Sequence, residues 1–292
     1  MSFWKALFGG AEKNPEEEKQ EDATRKFDLY KYDGIKALRM NQSEYAVKCF
    51  TEALKLKTDI ETLDYLSQAF VRMGRFAEAL ATLDIVRKIA PKAMLVYDRM
   101  GHIAYMMEDY DRLDEIARQA QEQDPQHAHA YYMAAQAAVG SNNPVGAIAQ
   151  LTQSLAVDDA QEEARLLRAQ TLMAMGDLEA AQRDADLLKD QFGADEEVML
   201  LSARLAARQG KADEAKALYG RLIEENPFQA DAFRERGKLL FDEGDKEGAE
   251  ADMRKYLELR PEELNDVNGE YKAEGVEEMM KRAYSAINPF GL

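Results

Sequence analysis

Residues 210–227 read GKADEAKALYGRLIEENP, and residues 74–91 read GRFAEALATLDIVRKIAP. Both open on a glycine, carry an alanine five positions on (Ala215, Ala79), and close on a proline twelve positions later (Pro227, Pro91). Read outward from these two, the same three columns run through the chain. The small column is Ala46, Ala79, Leu113, Ala147, Ala181, Ala215 and Ala249, with a first gap of 33 residues and then five gaps of 34. Five positions upstream lie Asn41, Gly74, Glu108, Asn142, Gly176, Gly210 and Gly244, and twelve downstream lie Thr58, Pro91, Pro125, Asp159, Gly193, Pro227 and Pro261. Four of the chain's seven prolines fall in that last column, which chance placement does not produce.

Each column has a physical reading. Glycine and asparagine tolerate the left-handed conformation that ends a helix. Proline, glycine and aspartate end a second helix. Between breakers the apolar residues step by three and four, as in Leu63, Leu66, Phe70 and in Leu80, Leu83, Val86. That is the period of an amphipathic helix. Each unit is therefore two short helices, and stacked neighbours bury apolar faces that neither helix can bury alone. A further small column, Gly34, Ser67, Gly101, Ala135, Ala169, Ala203 and Gly237, lies midway along each first helix and lets helix axes approach closely. Tyr30, Phe50, Tyr97, Tyr131, Tyr219 and Phe233 fill the space beside it.

A 34-residue helix–turn–helix with small, aromatic and closing-proline columns resembles the tetratricopeptide repeat. The resemblance implies an all-α, right-handed superhelical solenoid with a C-terminal capping helix. Seven tandem copies span 27–261, preceded by an N-terminal amphipathic segment and charged helical extension (1–26) and followed by a capping segment (262–292). Leu113, Glu108 and Arg165 depart from the repeat's usual alanine, glycine and large residue. The strict spacing and acidic charge separate the chain from RNA-binding pentatricopeptide repeats.

Composition narrows the function. The 292 residues carry 55 acidic and 38 basic side chains, a net charge of −17, which repels phosphate backbones and excludes a non-specific nucleic-acid binder. One cysteine, Cys49, excludes a disulfide framework, and its place among core positions suits an inert thiol. No stretch approaches the roughly 18 apolar residues of a spanning helix. The expected location is cytoplasmic, peripheral to a membrane if the N-terminus docks there. No phosphate loop, dinucleotide fingerprint or zinc-protease pattern is present, so neither enzyme activity nor a cofactor is expected. His102, His129 and Asp98 could converge on a metal if first helices line one groove, but nothing else in the spacing demands it. The stretch LNDVNGE (264–270) fails as a calcium loop, because Leu264 takes the first ligand position and Gly275 the last.

The resemblance further implies that first helices line a concave groove for a peptide or partner helix. The residues placed there are Asp64, Gln68, Asp98, His102, Tyr105, Tyr132, Gln136, Gln170, Arg204, Arg208, Arg234 and Lys238. Arg204, Arg208, Arg234 and Lys238 form a cationic group in an acidic chain. They suit either an acidic partner segment or local pairing with Glu197, Asp231 or Glu235. Chaperone-binding members clamp a terminal carboxylate with a lysine followed four residues later by asparagine. Here Lys31 is followed by Ile35, so that clamp is not supported.

The expected function is a non-catalytic protein-interaction scaffold. The alternative is a membrane-surface assembly factor recruited through Phe3, Trp4, Leu7 and Phe8, which share one helical face beside Lys5 and suit contact with either a membrane or a protein partner. Near the other end, Val276, Met279, Met280, Ala283, Tyr284 and Ile287 mark one face of an expected helix over 274–287, read as a cap with a partner-binding or dimerising helix as the alternative. Asn14, Pro15 and Glu16 to Glu18 suit a helix start.

Overall fold

The computed structural model describes residues 15–192 and 195–263, with helical positions Val276, Met279, Met280, Arg282 and Tyr284 beyond them. Fourteen α-helices and no strand occur among the described residues. The first six are α1 (Pro15–Arg39), α2 (Ser43–Leu56), α3 (Ile60–Arg72), α4 (Phe76–Ile89), α5 (Met94–Met106) and α6 (Tyr110–Gln123). Then come α7 (Ala128–Gly140), α8 (Pro144–Val157), α9 (Glu162–Met175) and α10 (Leu178–Phe192). The last are α11 (Glu196–Arg208), α12 (Ala212–Glu225), α13 (Ala230–Glu243) and α14 (Lys246–Leu259). They form two compact units, residues 1–137 and 138–292. In the first unit the hairpins α1–α2, α3–α4 and α5–α6 stack in order. In the second, α8 packs on α9, followed by the hairpins α9–α10, α11–α12 and α13–α14.

The columns of the sequence are the joints of this architecture. Among the described residues, the positive-φ positions are Asn41, Glu108 and Asn142 with Gly74, Gly176, Gly210 and Gly244, the whole breaker column and nothing else. Glu108 adopts φ 54°, where a side chain carries a steric cost that glycine avoids. The next residue then often caps the second helix. Asp109, Asn143, Asp177 and Asp245 accept from the backbone N–H three residues on, at 3.0–3.1 Å. Such a cap contributes about 1 kcal/mol.

Both small columns are buried. Every residue of the Ala46 column, Leu113 included, is fully inaccessible. A Cβ built on Gly34 would lie 2.5 Å from the Phe50 ring. One on Gly101 would strike Met133, and one on Gly237 would strike the Tyr284 hydroxyl. Ala215→Leu is accordingly expected to cost roughly 1–3 kcal/mol by overpacking. Urea unfolding measures it, and a loss below about half a kcal/mol would contradict this packing.

Arg165 has a structural explanation. Tyr97 and Tyr131 donate their hydroxyls to the carbonyls of Pro91 and Pro125, at 3.1 and 3.2 Å. At the same place in the fifth repeat Arg165 Nη2 donates to the Asp159 carbonyl at 2.5 Å. A guanidinium thus does the work of a phenol in tying the helix to the preceding turn.

The second unit also carries two bidentate ion pairs whose aspartates are buried. Arg168 donates to both oxygens of Asp184 at 2.7 Å each, and Arg236 to both of Asp252 at 2.7 and 2.8 Å. At its far end, Val276, Met279, Met280 and Tyr284 are helical and buried against Phe233, Met253, Tyr256 and Leu257. They close the last apolar face as a capping helix must. Ala283 and Ile287, expected on the same face, lie outside the described residues, as does the 264–270 stretch.

Candidate interaction surface

In the first unit, α3 and α5 present their outward residues side by side. Between them is a cavity of about 420 Å³ lined by Ser67, Gln68, Val71, Arg72, Leu83, Asp98, Arg99, His102 and Ile103. Val71, Leu83 and Ile103 give it apolar walls, and Gln68, Asp98 and His102 a polar rim. These three are residues that the sequence placed in the groove. Asp64 stands beside the cavity, accepting from Gln68 Nε2 at 3.0 Å and pairing with Arg99.

Asp98 is engaged by His127, whose Nε2 lies 2.7 Å from Oδ1, rather than by His102 and His129. The His129 ring packs against Tyr132 with centroids 5.4 Å apart. No group of three metal-ligating side chains occurs among the described residues. Tyr105 is half-exposed and meets Tyr110 edge-on at 6.5 Å, and Gln136 is half-buried on α7.

Lys31 reaches from α1 to Asp59 at 2.9 Å and Glu61 at 2.6 Å at the start of α3. Burial acts to lower its pKa, but the two carboxylates outweigh it and hold the value above that of a free lysine. Its charge is spent between repeats, consistent with the missing carboxylate clamp. Arg72 Nη1 donates to the Leu38 carbonyl at 2.7 Å, closing the end of the preceding first helix. Neither Arg72 nor Arg99 was singled out from sequence, because both lie beside the groove columns rather than in them.

In the second unit, Gln170 lines a cavity of about 510 Å³ with Val139, Asn142, Pro144, Leu167, Thr171, Ala174 and Met175. Each of the four cations has a partner within its own unit. Arg204 Nε lies 3.0 Å from both oxygens of Glu235, with Nη2 at 2.6 Å from one of them and 3.5 Å from Asp231. Arg234 approaches Asp231 at 3.3 Å and lies over the Tyr256 ring. Arg208 Nη2 donates to the Met173 carbonyl at 3.2 Å, repeating the role of Arg72, and Lys238 pairs with Asp242. Of the two sequence alternatives, the geometry favours local pairing, through Asp231 and Glu235 but not Glu197. Tyr219, which the groove columns did not single out, donates to Glu235 at 2.9 Å. Burial, reinforced by the Glu235 charge, pushes its pKa far above the ordinary phenol value.

Phe3, Trp4, Leu7 and Phe8 lie outside the described residues. No helix among the described residues is long and apolar enough to cross a membrane.

Stacked helical hairpins on a 34-residue period, presenting the faces of their first helices, define a helical-repeat protein. A tetratricopeptide repeat sequence model matches residues 200–263, from within α11 to just beyond α14. No curated protein matches the sequence. Among solved structures, a tetratricopeptide repeat protein from Parabacteroides merdae aligns with a TM-score of 0.67 at 18% identity, over 88% of this chain and 98% of that one. PilW, a type IV pilus biogenesis factor, aligns with a TM-score of 0.62 at 17% identity, over 76% and 98%. YrrB, described as having an unusual peptide-binding site, aligns with a TM-score of 0.51 at 17% identity, over 68% and 97%. At these identities the likeness is one of fold.

Proposed function

We propose that the chain is a non-catalytic scaffold that holds an extended peptide or partner segment against the first helices. The carrying observation is the cavity between α3 and α5. It combines apolar walls with a rim of Gln68, Asp98 and His102, the combination of anchor pocket and orienting polar groups that recognition requires. The peptide-binding site described for YrrB supports the reading by likeness of fold. The partner is a segment with an apolar side chain to seat between α3 and α5. Intramolecular pairing of the cations in the second unit removes the reason to require an acidic one.

The test is a screen of arrayed peptides followed by affinity measurement on two variants. His102→Glu and Val71→Asp are expected to weaken the selected peptide at least about tenfold, since loss of one well-buried contact of roughly 1.4 kcal/mol does that. Unchanged affinity in variants with native circular dichroism would sink the proposal.

A further inference from the structure

The first described repeat and the last are finished differently. In repeats two to seven, the first-helix position five residues before the small column is Thr62, Val96, Ala130, Ala164, Val198 or Ala232, and each is buried. In α1 the same position is Leu29, which is 58% exposed, and Tyr32 one turn on is 67% exposed. The C-terminal face is covered by Val276, Met279, Met280 and Tyr284. Among the described residues, nothing covers Leu29 and Tyr32 on the stacking face of α1.

The rest of that face has a definite pattern. Glu18, Asp22, Arg25, Leu29, Tyr32, Lys36 and Arg39 follow one another at alternating steps of four and three, so they form one stripe along the helix. The stripe lies opposite Phe27, Gly34 and Leu38, which are buried. It is acidic at Glu18 and Asp22, apolar at Leu29 and Tyr32 and basic at Lys36 and Arg39, with Arg25 between the acidic and apolar parts, and its charged members are exposed. At 25 residues, α1 is also the longest of the helices, about 37 Å by the usual rise. A stripe ordered acid–apolar–base is complementary to itself when turned end for end.

We propose that α1 is a self-association surface, and that its occupant is the α1 of a second copy of this chain, packed antiparallel about a two-fold axis at Leu29. That arrangement sets Leu29 against Leu29. It brings Glu18 opposite Arg39, Asp22 opposite Lys36 and Arg25 opposite the Tyr32 ring of the second copy. Every contact except Leu29 with Leu29, which lies on the axis, occurs twice, as an isologous interface requires. The charges fix direction and register, because the parallel arrangement would face acid with acid.

Sedimentation of the full chain at tens of micromolar is expected to show a dimer that weakens as salt rises. Leu29→Glu with Tyr32→Glu should lower association at least about tenfold, with circular dichroism unchanged because both side chains are exposed. The decisive arm is a charge exchange. Glu18→Lys with Asp22→Lys in one preparation, and Lys36→Glu with Arg39→Glu in another, should each be monomeric alone and form a heterodimer when mixed. A monomeric parent chain overturns the proposal, including one that dimerises only after residues 1–14 are deleted, which would assign the face to the chain's own N-terminal segment. A dimer indifferent to Leu29 and Tyr32, or two charge variants that fail to pair, overturns it as well.

Discussion

Replacing Glu235 by alanine is expected to cost roughly 3–5 kcal/mol, the range for removing one partner of a buried ion pair. Glu235 is 1% exposed, and its two oxygens take the Arg204 guanidinium and the Tyr219 hydroxyl together. Without it, Arg204, whose side chain is 12% exposed, keeps only Asp231 at 3.5 Å. A charge held away from water with so little compensation is what makes the loss large. Glu235→Gln keeps the shape and should still destabilise, because its amide cannot neutralise Arg204. Hydrogen exchange across α11 to α13 is the suitable measurement, since a repeat array need not unfold in one step. A change below about 1 kcal/mol would mean that the cluster is solvated. The same geometry affects any binding assay that reverses Arg204. Arg204→Glu sets a third carboxylate against Glu235 and Asp231, so lost binding would report lost structure.

The second large effect is expected at Leu113, where Leu113→Ala should cost about 2–5 kcal/mol. The other six repeats carry alanine at this position, so a comparison of repeats alone would score the change as neutral or favourable. The structure gives the opposite sign. Leu113 is wholly buried, and a Cβ on Gly101 would sit 3.4 Å from its Cδ1. The leucine fills volume that the glycine across from it leaves empty. Truncation opens a cavity beside Gly101, where Met133 also packs close against the glycine. Leu113→Met keeps most of the volume and should cost under about 1.5 kcal/mol. Urea unfolding of both variants checks the order, and equal stability of Leu113→Ala and the parent would refute it.

These cases show where sequence suffices. The breaker and small columns are set by backbone torsion and by helix approach, which recur identically in each repeat, so phase alone reveals them. Glu108 and Leu113 looked like weak members of their columns, yet Glu108 takes the left-handed torsion and Leu113 the buried site. The Arg168–Asp184 and Arg236–Asp252 pairs were not read from the sequence, although it carries a signal for them. The arginine stands one residue before the small column and the aspartate three after the alanine column in the fifth and seventh repeats, and in no other. The cavity between α3 and α5 was not legible, because its volume depends on how far Arg72 and Arg99 turn toward Leu38 and Asp64. The commitment of Arg204 was visible only as an alternative, since a residue 31 positions away has to be placed in space before its charge can be assigned.

The uncovered face of α1 also bears on how the molecule comes apart. In an array whose units are held by nearest neighbours, opening starts where a neighbour is missing and proceeds unit by unit. Val276, Met279, Met280 and Tyr284 occupy that place beside α13 and α14, whereas Leu29 and Tyr32 leave it open. Detachment of α1 and α2 would bare Thr62 and Tyr65 of α3, turning the next repeat into the new end. A protease working from this side would therefore trim the chain in steps of one hairpin, each cut creating the same kind of edge for the next.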